Sequence, residues 1–205
     1  MTRGGAEPLR IALLYHDYGA PNRTVVDRYV YELAIALLDT GHGIEVLSTH
    51  RGGRKRTVED RVPVVHLRRL PEAPLRQRGF AGPLTHVAPG IGALAAGGFN
   101  VVHAFSTADA LMALIWQRLV GRPTAFTCVE KLRRDRLADR RLRLRLLQGA
   151  VEDTGAVIAA TERSRESLWR WLAVDAPVMG SDDVDGHERL YRGLVAQRAE
   201  ARRAG

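Results

Sequence analysis

The sequence predicts an α/β protein: a single Rossmann-like, doubly wound domain, its sheet mainly parallel and covered by helices on both faces. Three observations predict it. Apolar runs of strand length recur along the chain, among them "LRIALLY" (9–15), "FNVVHAF" (99–105) and "TAFTCV" (124–129). Such unbroken runs suit strands buried on both faces. Segments of helical period alternate with them. The links between are short, which favours right-handed crossovers between parallel strands.

The elements follow in order. After the first strand, Val26, Val30, Leu33, Ala34 and Leu37 fall at helical spacing, and Gly41 stops the helix. "GIEVLST" (43–49) and "VPVVHL" (62–67) read as two more strands, with "RGGRKR" (51–56) as a loop between them. A Pro-punctuated loop leads to a weakly helical stretch over 84–96. The strand 99–105 precedes a helix from Ala108 to Val120, and the strand 123–129 precedes an Arg-rich helix over 135–153. "AVIAAT" (156–161) is a strand, Glu162 to Ala173 a helix, "APVMGS" (176–181) a short strand, and Asp183 to the end one last polar helix. The expected sheet has six or seven strands, with 9–15 and 101–105 at its centre.

Composition narrows the class. The 205 residues suffice for one core, and 45% hydrophobic with 26% charged residues is ordinary for a globular domain. No apolar run approaches the roughly 18 residues that span a bilayer. The N-terminal "MTRGGAEPLR" lacks a signal-peptide core, so a cytoplasmic location is expected. The one cysteine, Cys128, sits in an apolar run and reads as a buried, inert thiol. The net charge of +8 is uneven. Lys131, Arg133, Arg134, Arg136, Arg140, Arg141, Arg143 and Arg145 stand against only Asp135 and Asp139, a local charge of +6. A solvated helix face and an anionic surface, such as bilayer headgroups or an acidic partner, are the two readings. Nucleic acid ranks last, because no aromatic residues interleave the arginines.

Four stretches carry a resemblance: "RIALLYHDYGAP", "DRYVYELAIALLDTGHGIEVLST", "FNVVHAFSTADALMALIWQRLVGRPTAFT" and "GAVIAATERSRESLWRWLAVD". In this order they resemble the N-terminal, acceptor-side domain of the family 4 retaining glycosyltransferases, which have the two-domain GT-B fold. The resemblance covers about 170 residues. It implies residues 1–175 as a Rossmann-like domain and 176–205 as a tail whose "DGHERLYRGLVAQ" looks like the helix that crosses back between GT-B domains. The donor-binding domain that the family would place after "LAVDAPV" is absent from the sequence.

The same resemblance selects candidate residues. The family usually has two glycines before the first helix, where backbone approaches a donor phosphate. Thr24 and Val25 stand there. Thr24 suits an N-cap, and the other reading makes Asn22, Arg23 and Thr24 a different anion site. Phe105 and Val129 stand where the family often has histidines. Acceptor-binding candidates follow the strands: His16, Asp17, Ser106, Thr107, Asp109, Glu130 and Lys131, with His103 inside its strand. On the plainer readings Ser106, Thr107 and Asp109 start a helix, Thr161 and Glu162 start another, and His103 is a satisfied core histidine. No catalytic residue and no metal site is singled out.

Three functional expectations result. The chain is glycosyltransferase-like and acts with a partner chain in sugar transfer, or it is an inert accessory to such an enzyme. Alternatively it is the acceptor-binding half of a split, active transferase. It carries no cofactor of its own, and a nucleotide-sugar enters only with a partner that brings a donor domain. The partner is a donor-domain chain, a full-length glycosyltransferase or a second copy, with peripheral contact to an anionic membrane as a further expectation.

Overall fold

The computed structural model describes residues 7–19, 23–50, 52–69, 85–132 and 141–204. Strand β1 (Arg10–Leu14) leads to helix α1 (Val25–Asp39), then β2 (Gly43–His50), β3 (Lys55–Glu59) and β4 (Val62–Arg68). Next come α2 (Val87–Gly97), β5 (Val101–Ala104), α3 (Thr107–Val120), β6 (Thr124–Cys128) and α4 (Arg141–Asp153). β7 (Ala156–Ala159), α5 (Glu162–Leu172) and α6 (Val184–Ala204) complete the chain. The seven strands form one sheet in the order β3-β4-β2-β1-β5-β6-β7. All pairs are parallel except β3 with β4. This is the doubly wound, Rossmann-like architecture.

The central pair is β1 and β5, joined from Ile11↔Val101 to Leu14↔Ala104. Their apolar runs are continuous because both faces are covered. Ile11 and Leu13 pack into one core with α1 and with Tyr191 and Leu194 of α6. Ala12 and Leu14 pack into the other, with side chains from α2, α3, α4 and α5. Leu13 and Val102 are both fully buried.

Two differences from the sequence reading are informative. β3 was not foreseen, and 51–56 is not simply a loop: Lys55 and Arg56 begin this strand. It pairs antiparallel with β4 through a two-residue turn, Glu59↔Val62, with Asp60 and Arg61 at φ 44° and 75°. Positive φ at both central residues is what a type I′ hairpin requires. Asp-Arg gives none of the usual glycine signal for it, and the strand is polar because it lies at the sheet edge, where charge blocks further pairing. Conversely, 176–181 forms no strand: it contributes the single parallel bridge Ala159↔Val178. The Arg-rich helix is seen from Arg141; its expected start at 135 lies outside the described residues.

Candidate functional site at the strand ends

The carboxyl ends of β1 and β5 converge on one buried carboxylate. Ser106 caps α3: its hydroxyl accepts from the Asp109 N–H. The cap places Asp109 one turn in, where its carboxylate turns toward β1. Oδ2 accepts from the Ser106 hydroxyl at 2.5 Å, from the His16 backbone N–H at 3.2 Å and from His16 Nδ1 at 2.9 Å. Oδ1 accepts from His86 Nε2 at 2.9 Å. The two imidazoles stack almost parallel, centroids 4.9 Å apart. Asp109 and His86 are buried, and His16 is 9% exposed.

This geometry sets the charges. Burial opposes a charged His16, but the Asp109 carboxylate outweighs it and raises the imidazole to about 10. Burial likewise opposes ionised Asp109, and the two histidines hold it well below the usual carboxylate range. The outer nitrogen of His16, Nε2, lies 3.3 Å from Asp17 Oδ2. The bond to His16 outweighs burial and lowers Asp17 to about 2, aided by Arg69, whose Nη2 donates to it at 2.8 Å. His16 therefore links a buried carboxylate to an exposed one at the strand edge. Such a chain can hold and orient a hydroxyl.

His16 Nδ1, His86 Nε2 and an Asp109 oxygen lie within 4.8 Å of one another and are the set among the described residues able to hold a metal ion. As they stand, both nitrogens donate to the carboxylate and the parallel rings aim alongside each other. A shared cation would require both nitrogens to give up the protons they share with Asp109. The set reads best as a hydrogen-bonded clamp.

The junction before α1 is closed by its own carboxylate. Thr24 is the N-cap, accepting from the Asp27 N–H at 3.0 Å. Asp27, buried, accepts in return from the Thr24 hydroxyl at 2.7 Å and from the Gly19 N–H at 3.3 Å. An anion thus already sits at the positive end of the helix dipole and ties Gly19 to it. Arg23 lies over Gly19: a Cβ there would meet Nη1 at 2.7 Å. Val25 is 65% exposed. Asn22 lies outside the described residues.

The remaining candidates are spread along the same edge or below it. Thr107 opens α3 beside Ser106. Glu130 and Lys131 are exposed where the chain leaves β6. His103 is fully buried, its nitrogens 2.6 Å from Tyr191 Oη and from Thr127 Oγ1, so it offers no accessible atom. Burial pushes its imidazole well below the ordinary range and keeps it neutral. Phe105 and Val129 are core residues. Cys128 is buried, its thiol pushed up to about 12 by burial and then by Glu130. Of the arginine run, Arg145 is exposed; Arg141 and Arg143 are seen only as helix backbone, and Arg133, Arg134, Arg136 and Arg140 lie outside the described residues. His86 and Asp27 were not among the sequence candidates.

A family model described as glycosyl transferase 4-like domain matches residues 26–179. The chain belongs to this family. The model covers the fold from α1 through the bridge at Val178, which includes Asp27, His86, Ser106 and Asp109. No curated protein matches the glycosyltransferase-like chain in sequence. Among solved structures, a shorter chain of sucrose-phosphate synthase from Thermosynechococcus elongatus is 16% identical with a TM-score of 0.64, over 90% of this chain and 98% of that one. The longer chain of the same enzyme is 14% identical at 0.64, over 83% of this chain but 47% of that one. Anabaena HepE in complex with UDP is 14% identical at 0.59, over 84% of this chain and 44% of that one. At these identities the likeness is one of fold, that of GT-B glycosyltransferases. This glycosyltransferase-like chain spans about half the length of the longer structures it matches.

Proposed function

We propose that this chain is the acceptor-side half of a glycosyltransferase architecture, acts together with a second protein chain, and binds no nucleotide-sugar by itself. The observation that carries the reading is Asp27. Its carboxylate occupies the α1 N-terminus, where a donor phosphate would need free backbone N–H groups and positive potential. A phosphate there would meet a like charge and the Thr24 side chain. The chain then serves sugar transfer through its partner, or supports the partner as an inert accessory.

The second reading, an active split transferase whose partner brings the donor domain, is favoured by the clamp at the strand ends. His16, Asp17 and Ser106 lie where an acceptor hydroxyl would approach. In both readings α6 is the crossing helix: it packs beside α1 with Tyr191 and Leu194 in the core. The strand-end face, with Val25 exposed, is the surface offered to the partner. No helix among the described residues is long and apolar enough to cross a membrane. A cytoplasmic location, with peripheral membrane contact through the Arg-rich segment, completes the proposal. Sedimentation velocity tests it, run on the chain alone and mixed with the proteins encoded beside its gene. A complex or a self-dimer is expected. A monomer that binds none of them contradicts the proposal.

A further inference from the structure

Two strands along from the His16 clamp, the same edge of the sheet carries a second polar feature. Lys131 follows β6, and α5 begins after a two-residue link from β7, so both stand at the carboxyl ends of adjacent parallel strands. Between them lies a cleft of about 180 Å³ lined by Lys131, Arg163, Glu166, Ser167, Arg170 and Trp171. The α5 members recur at helical spacing and form one face of the helix. The walls are tied together: Ser167 Oγ accepts from the Leu132 N–H at 3.1 Å and donates to the Ser164 carbonyl at 2.8 Å.

The charge in this cleft is unbalanced. Lys131, Arg163 and Arg170 face one carboxylate, Glu166. Among the described residues none of the three cations has an ion-pair partner, whereas Arg165, on another face of α5, pairs with Glu162 at 2.9 Å. Trp171 is 38% exposed within the cleft. Two guanidinium groups and an ammonium match the oxygens of a phosphate. A partly exposed indole beside them offers an apolar plane to the C–H face of a sugar ring.

We propose that this cleft binds a phosphorylated sugar: Lys131, Arg163 and Arg170 take the phosphate and Trp171 packs against the ring. The proposal names an acceptor class, and it rests on the acceptor-side reading above only for the word acceptor. Binding itself requires neither donor nor partner, so its failure and that of the partner proposal are read in separate experiments.

The test is calorimetric titration of the full chain with glucose 6-phosphate, glucose and inorganic phosphate, with tryptophan fluorescence as a second readout. Glucose 6-phosphate should bind, more weakly as salt rises. Glucose and inorganic phosphate should each bind at least tenfold more weakly. The double variant Arg163→Gln/Arg170→Gln should lose at least tenfold in affinity, and each single variant about threefold. Trp171→Ala should bring glucose 6-phosphate down to the affinity of inorganic phosphate. Arg165→Gln should change nothing. No binding of glucose 6-phosphate by the wild-type chain, or binding that the arginine variants leave unaltered, overturns the site. Equal affinity for inorganic phosphate overturns the sugar contact. Vesicles of phosphatidylglycerol that bind through Arg163 and Arg170 while glucose 6-phosphate does not would assign the cleft to a lipid headgroup and overturn the proposal.

Discussion

Asp109 holds two histidines with one carboxylate, and this ties stability to pH. His16 binds its proton more tightly in the folded chain, at about 10 against an ordinary 6.5. Its contribution is therefore whole below 6.5 and is lost as pH climbs toward 10. Asp109 is shifted down from 3.8, so its contribution is present above that value and fades as pH falls below it. Urea unfolding between pH 6.5 and 10 should show stability declining with pH, and His16→Gln should flatten that decline. Asp109→Asn breaks a buried pair and should cost about 3–5 kcal/mol. At the α1 junction, Thr24→Ala should cost about 1 kcal/mol through the lost cap. The caps at Thr24, Ser106 and Thr161 were legible in the sequence because capping is local. His86 was not, because its partner Asp109 lies 23 residues away and only the fold brings them together. Asp27 is not legible in the sequence because an acid in a first turn looks like an ordinary solvated residue, yet here it is buried.

The elements divide by how much of their environment is local. β1, β2, β4, β5, β6 and β7 announce themselves by apolar runs, since burial on both faces demands them. β3 has one neighbour and a polar sequence, so hydrophobic pattern cannot reveal it. Helix α6 was expected as a polar helix, but what seats it was hidden. Tyr191 Oη meets His103 Nδ1 at 2.6 Å, and His187 Nε2 lies 3.2 Å from Tyr29 Oη. Burial lowers both imidazoles, so they are neutral, and their contribution is lost as pH falls below 6.5. Hydrogen exchange of α6 amides should accelerate on going from pH 7 to 5, after correction for intrinsic rates. Tyr191→Phe leaves His103 Nδ1 buried without its partner and should cost about 1–3 kcal/mol in urea unfolding. If that substitution is neutral, the Tyr191–His103 contact does not help to hold α6.

At the scale of the whole molecule, the sheet presents its carboxyl ends as one edge, where the proposed sites lie. The closed α1 junction after β1, the clamp between β1 and β5 and the cleft beyond β6 and β7 all lie along it. The architecture was readable from the order of strands and helices, because doubly wound topology follows from alternation. The state of the edge was only half readable: replacement of the family's glycines by Thr24 and Val25 argued against close approach of a phosphate, but the carboxylate that fills the place did not show. The architecture persists, and we propose that donor chemistry at this junction does not. Calorimetric titration of the isolated chain with UDP-, GDP- and dTDP-sugars tests it most directly. No binding tighter than about millimolar is expected, since a few exposed hydrogen bonds of about 0.5–1.5 kcal/mol each give no more. Micromolar binding of any of these donors, lost on Arg23→Ala, would contradict it and show that the junction binds phosphate despite Asp27.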